Sequence, residues 1–106
     1  MAKYLIKGNY VGDGLKGLLA EGGTSRRDAA EAAMASVGGT LDCMYYAFGD
    51  TDIFGIADVP DEASAVAVSL LINATGAVAV GLTPLLEPEV IDEAAKKAPA
   101  YRPPGG

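Results

Sequence analysis

The chain has no histidine among its 106 residues. Without an imidazole there is no Ser-His triad, no His-ligated haem and no conventional zinc site. A single cysteine, Cys43, excludes an internal disulfide, cannot build a thiolate metal site alone, and fits a reducing, cytoplasmic setting. No metal or cofactor is therefore expected. Basic residues are scarce: eight Lys and Arg stand against fourteen Asp and Glu, a formal net charge of −6. Nucleic acid and anionic membrane surfaces both demand a basic patch, so neither is an expected partner. No signal peptide is visible, because Met-Ala-Lys-Tyr leads straight into a strand-like run. GDGLKG lacks the GK[ST] ending of a phosphate loop, and no strand–GxGxxG–helix unit occurs. The uncharged run Ala63 to Leu82 is interrupted by Ser69, Asn73, Thr75 and Gly76. It reads as a buried helix followed by a buried strand rather than a membrane span.

What is present is a globular composition, half hydrophobic and 21% charged. It predicts one domain over residues 1–98 and a loose tail over residues 99–106. Lys3 to Val11 reads as a strand, Gly14 to Gly23 as a short helical turn. TSRRDAAEAAMASVGG reads as a helix with Thr24 or Ser25 as N-cap and Gly38-Gly39 as the stop. Thr40 to Phe48 and Asp52 to Val59 form a hairpin ended by Pro60. Asp61 caps a helix that is apolar nearly all round, implying neighbours on more than one side. Ala77 to Thr83 is a fourth strand broken by Pro84, and Pro88 opens a terminal helix. The order β-α-β-β-α-β plus a C-terminal helix predicts a ferredoxin-like α+β fold. Two helices cover one face of a four-stranded antiparallel sheet.

Alternation in the hairpin predicts which side chains share a face. If Leu41, Cys43, Tyr45 and Ala47 lie with Ile53, Gly55, Ala57 and Val59 against the helices, paired numbers must have an even sum. A three-residue loop, Gly49-Asp50-Thr51, satisfies this with one left-handed residue, Gly49 or Asp50. Asp42 then pairs with Asp58, Met44 with Ile56 and Tyr46 with Phe54. The opposite face would carry Met44, Tyr46, Phe54, Asp42, Asp52 and Asp58, joined by Lys7 and Asn9 of the first strand. Such a surface is too apolar to stay wet and too charged for a dry core. A second copy laid against it by twofold symmetry, enclosing a partly polar chamber, resolves the conflict.

Each candidate also has a plainer role. Asp42 and Asp58 are either a proton-sharing acid/base pair or solvated strand ends, with Lys7 or Asn9 near enough to relieve their repulsion. Asp52 either faces a ligand or accepts backbone amides near the turn. Arg26 and Arg27, cations in the first turn of a helix, either bind an anion with the free N–H groups or pair with Glu21 or Asp28. Tyr46, Phe54 and Met44 are packing residues or a substrate wall. Cys43 and Tyr45 are expected to be packed on the helix side.

The segments KYLIKGNYVGDGLKGLLAEGG, SRRDAAEAAMASVGG, YYAFGDTDIFGIADVPD and ATGAVAVGLTPLLEPEV resemble the GYD-domain family of the dimeric α+β barrel superfamily. Where that family's turn carries a tyrosine before the aspartate, this chain has Thr51. The resemblance implies a ferredoxin-like domain and a sheet-to-sheet homodimer, with activity undetermined for the family. Its superfamily includes cofactor-independent monooxygenases, muconolactone-isomerase-like enzymes and amino-acid-sensing regulatory domains. Three readings stay open. They are a binding protein for a small organic ligand, an enzyme with Asp42 or Asp58 as base and Tyr46 positioning substrate, and a purely structural homo-oligomer.

Overall fold

A computed structural model describes residues 2–106. Among these the order is β1 (Ala2–Tyr10), α1 (Gly14–Glu21), α2 (Gly23–Ala35), β2 (Thr40–Tyr46), β3 (Ile53–Val59), α3 (Glu62–Ala74), β4 (Val78–Leu85) and α4 (Pro88–Ala95). The strands make one antiparallel sheet in the order β2-β3-β1-β4. This is the expected ferredoxin-like α+β topology. The two central strands are the two that alternate most cleanly: Tyr4, Ile6 and Gly8 of β1 and Ile53, Gly55, Ala57 and Val59 of β3 are all buried. They meet Met34 of α2 and Ala65 and Val68 of α3, which form the core with them. The opposite sheet face has no covering helix among the described residues.

Local signals explain most boundaries. Asp61 caps α3 as expected, its Oδ1 accepting from the Ser64 amide at 2.7 Å. The start of α2 differs from expectation. The helix begins at Gly23, after Gly22 with φ 88°, so Thr24 and Ser25 lie inside its first turn and neither caps it. A left-handed glycine is what permits α1 to stop and α2 to start within one residue. Pro84 does not break β4, which continues through it to Leu85, opposite Tyr4 and Lys3 of β1. β4 is an edge strand, and a missing N–H pointing outward costs no ladder bond.

The largest departure is in the hairpin. Ala47 N donates to Asp52 O at 2.8 Å, leaving a four-residue loop, Phe48–Thr51, with no left-handed residue. Near the turn Tyr46 pairs with Ile53, Tyr45 with Phe54, Met44 with Gly55 and Cys43 with Ile56. A β-bulge then leaves Asp42 without a partner, and beyond it Leu41 pairs with Ala57 and Thr40 with Asp58. Met44 and Tyr46 therefore share the helix-covered face with Ile53 and Gly55. Cys43 and Tyr45, expected against the helices, lie on the open face, half-buried and exposed respectively. One extra residue reverses the faces on one side of a bulge and leaves them unchanged on the other.

Small residues under the helices leave a 70 Å³ apolar cavity bordered by Ala30, Met34, Leu41, Met44, Gly55 and Val68. The outer face of α3 has no covering element among the described residues: Val66, Leu70 and Leu71 are exposed. From Thr83 onward every residue is exposed. The radius of gyration is 17.0 Å, against about 13 Å for a compact chain of this length, as the C-terminal segment stands away from the body. No helix among the described residues is long and apolar enough to cross a membrane.

Candidate functional site

At the hairpin end of the helix-covered face, the close of β1, the close of β2 and α1 enclose an open pocket of about 680 Å³. Leu15, Leu18 and Leu19 supply one wall, Phe48 and Ala47 another, and Tyr10, Tyr46 and Asp52 the polar floor. Leu19 and Phe48 are largely exposed, so the mouth is apolar and wet at once. A second pocket of about 250 Å³, lined by Thr24, Arg27 and Met44, lies across the Tyr46 ring.

Hydrogen bonds hold the floor in place. The Tyr46 hydroxyl donates to the Gly23 carbonyl at 3.2 Å and lies 3.5 Å from the Tyr10 hydroxyl. Gly23 suits this contact, because a Cβ there would stand 3.0 Å from the Tyr46 ring. Burial pushes the Tyr10 phenol up to about 12, aided by its hydrogen bond with Tyr46 and partly offset by the Arg26 guanidinium. Asp52 has the plainer of its two expected roles. Its Oδ2 accepts from the Tyr10 amide at 3.0 Å, while its own amide donates to Asn9 Oδ1 at 2.9 Å and to the Gly8 carbonyl at 3.1 Å. Asn9 and Asp52 thus tie the hairpin tip to β1. Arg26 pairs with Glu21 at 3.5 Å, and Arg27 lies 3.6 Å from Asp28 and 3.9 Å from Glu31.

The two hairpin carboxylates do meet, but through a third group. Lys3 Nζ donates to Asp42 Oδ2 at 2.7 Å and to Asp58 Oδ2 at 2.8 Å. Neither Lys7 nor Asn9 supplies this bridge; Lys7 is exposed and makes no ion pair among the described residues. The Lys3 hydrogen bond holds the Asp42 carboxyl below its ordinary value, against the opposing effect of desolvation. Lys3 itself is held above its ordinary range, chiefly by its hydrogen bonds to Asp42 and Asp58. A depressed carboxyl is present and ionised at neutral pH but is a weaker base.

A pH signature follows. The unfolded chain takes up a proton on Asp42 more readily than the folded one. The stabilisation is therefore complete above about pH 4, the ordinary carboxyl value. It is lost as pH falls from there through the lowered folded value. Lys3→Met is expected to reduce the urea midpoint at pH 7 slightly, since the cluster is half-exposed. The difference from wild type should shrink by pH 3; a gap that persists or widens there would contradict the assignment.

Of the residues expected to share one chamber, Lys7, Asn9, Phe54 and Asp58 remain with the open face. Tyr46 and Met44 belong instead to the helix side, and Asp42 sits in the bulge. The pocket wall of Leu15, Leu18, Leu19 and Phe48, its partner Tyr10 and the Lys3 bridge lie outside the candidate site residues expected from the sequence. The one signal for them was the apolar repeat in GLKGLLAEGG, which shows an amphipathic helix but not what it faces. No group of three or more metal-ligating side chains converges among the described residues.

A family model described as the GYD domain matches residues 4–95. No curated protein and no solved structure is matched. With the match running from β1 to the end of α4, over an antiparallel sheet with helices on one face, the chain belongs to the GYD domain family.

Proposed function

We propose that this GYD domain protein binds a small organic molecule with an apolar body and one polar group, and does so as a pair of chains. The observation that carries the reading is the 680 Å³ pocket, greasy on its walls and with two hydroxyls on its floor. Its volume lies within the range of small-ligand sites, about 300–1,000 Å³. The apolar body would lie on Leu15, Leu18, Leu19 and Phe48. The polar group would meet the Tyr10 and Tyr46 hydroxyls. Binding is a better reading than acid/base catalysis, because Lys3 occupies the carboxylates that a base would need.

In a thermal-shift screen of small aromatic acids and amino acids, a true ligand at a hundredfold excess over its Kd adds about 2.7 kcal/mol to stability. Leu19→Glu, on an exposed wall, should abolish that shift while leaving the unliganded Tm unchanged. A shift of equal size in Leu19→Glu would place the ligand elsewhere.

Pairing through the open sheet face is favoured by what that face displays: Tyr45 and Phe54 exposed beside Ile56, Leu5 and Cys43. A bare apolar sheet surface of this kind calls for a cover, and a twin copy offers the same surface by symmetry. Tyr45→Glu is expected to convert a dimer to monomers in sedimentation velocity with the circular dichroism unchanged. A wild-type chain that sediments as a monomer at micromolar concentration would overturn the pairing but not the pocket.

A further inference from the structure

We infer that α4 of one copy docks in the groove between α3 and β4 of a second copy. α4 has eight residues and none of them is buried. A helix that short is marginal alone in water, where isolated helices need about 12–15 residues. Its spacing puts Val90, Ile91 and Ala94 on one side and Glu89, Asp92 and Glu93 on the other. Leu86, just ahead of the Glu87 cap, stands at the position from which a residue staples to Ile91. The apolar stripe is thus complete and lacks only a surface.

The same chain offers one. Beside α3 runs a groove of about 320 Å³ lined by Tyr4, Val66, Leu70, Leu82 and Pro84, with Glu62 as its one charged wall. It explains why α3 is apolar on its outer side, where Val66 and Leu70 face solvent. The charges agree with this seating. Lys97, three residues beyond Ala94 and just past the end of the helix, would answer Glu62, while the acidic side of α4 stays outside.

Linker geometry decides which copy supplies the helix. Only Leu86 and Glu87 separate β4 from Pro88. A proline restricts the residue before it to extended backbone, and Glu87 has φ −67° and ψ 147°. This short extended connection carries α4 away from its own groove, since none of its residues is buried, and the helix reaches across to another molecule. This docking does not depend on the ligand pocket, and it uses a different surface from the open sheet face.

Mixed cysteine variants of the full chain test it. One protein carries Val90→Cys and Cys43→Ser, the other Leu70→Cys and Cys43→Ser; both sites are exposed, so folding is undisturbed. Mild oxidation of the mixture should give a disulfide-linked dimer containing one chain of each kind, in excess over either self-linked product. A single chain carrying both cysteines that closes on itself at high dilution would overturn the proposal, as would absence of the mixed product. In sedimentation equilibrium, Val90→Glu with Ile91→Glu should weaken self-association by roughly tenfold or more. An unchanged dissociation constant would overturn the docking and leave the sheet-face pairing standing.

Discussion

Gly14→Ala is expected to cost about 3 kcal/mol of folding stability, although alanine is the better helix former. A Cβ at this position would run into the Ala77 carbonyl, its oxygen first, with the carbonyl carbon at 2.8 Å. Neither side can yield freely. The Ala77 oxygen already accepts from the Val11 amide at 3.0 Å, and the Gly14 amide donates to the Val11 carbonyl at 2.9 Å. Relief requires the start of α1 to lift away from β4, which breaks these bonds and moves the Leu15 and Leu18 wall of the pocket. Gly17, three residues along the same helix, is the control. Nothing lies within 4 Å of a Cβ there, so Gly17→Ala should stabilise by up to about 1 kcal/mol from helix propensity alone. Urea midpoints of the two variants should move in opposite directions. If they move together, the collision at Gly14 is not what limits that position.

Met34→Ala should lose about 2–5 kcal/mol, the range for emptying a large buried side chain. Met34 is 2% exposed and packs between α2 and the sheet, with Ala57, Val59, Ala65 and Val68 in the same cluster. It also borders the 70 Å³ cavity. Truncation would join the new void to one already present, and the small neighbours Ala30, Ala33 and Gly55 have no reach to fill it. For a domain of this size the loss lowers Tm by roughly 10 °C or more. Met34→Leu conserves volume and should lose less than about 1.5 kcal/mol. A Met34→Ala variant within that smaller range would mean that the core collapses around the deletion.

Much of the architecture was legible in the residues. β1 and β3 are central strands with one face against helices, and strict alternation in KYLIKG and IFGIADV gave the correct buried set in both. The Asp61 cap was legible because capping is a contact between residues three apart. The helix stop at Gly76 was legible too, because its φ of 72° is one that few other residues accept.

β2 departs from the expected alternation between Asp42 and Tyr46, and the reason is specific. The register across the hairpin depends on the loop and on the bulge at Asp42, and each shifts the pairing by one. Two shifts restore the face of Leu41, while between them Cys43, Met44, Tyr45 and Tyr46 are inverted. The bulge at Asp42 carries no glycine to mark it in the sequence. Here it goes with the bridge from Lys3, whose ammonium gathers Asp42 and Asp58 from two strands. Tyr46 consequently faces Gly23 and Tyr10, and the pocket of a single chain opens on the helix side.

The amino-acid sequence by itself determined the ferredoxin-like order of elements, the family and the absence of histidine chemistry, since each rests on composition or on neighbours within a few positions. Only the tertiary structure decided which way β2 turns its side chains, which cation bridges the aspartates and where the pocket lies. Those depend on contacts between residues dozens of positions apart, and a one-residue shift in strand pairing reverses them without altering any local pattern.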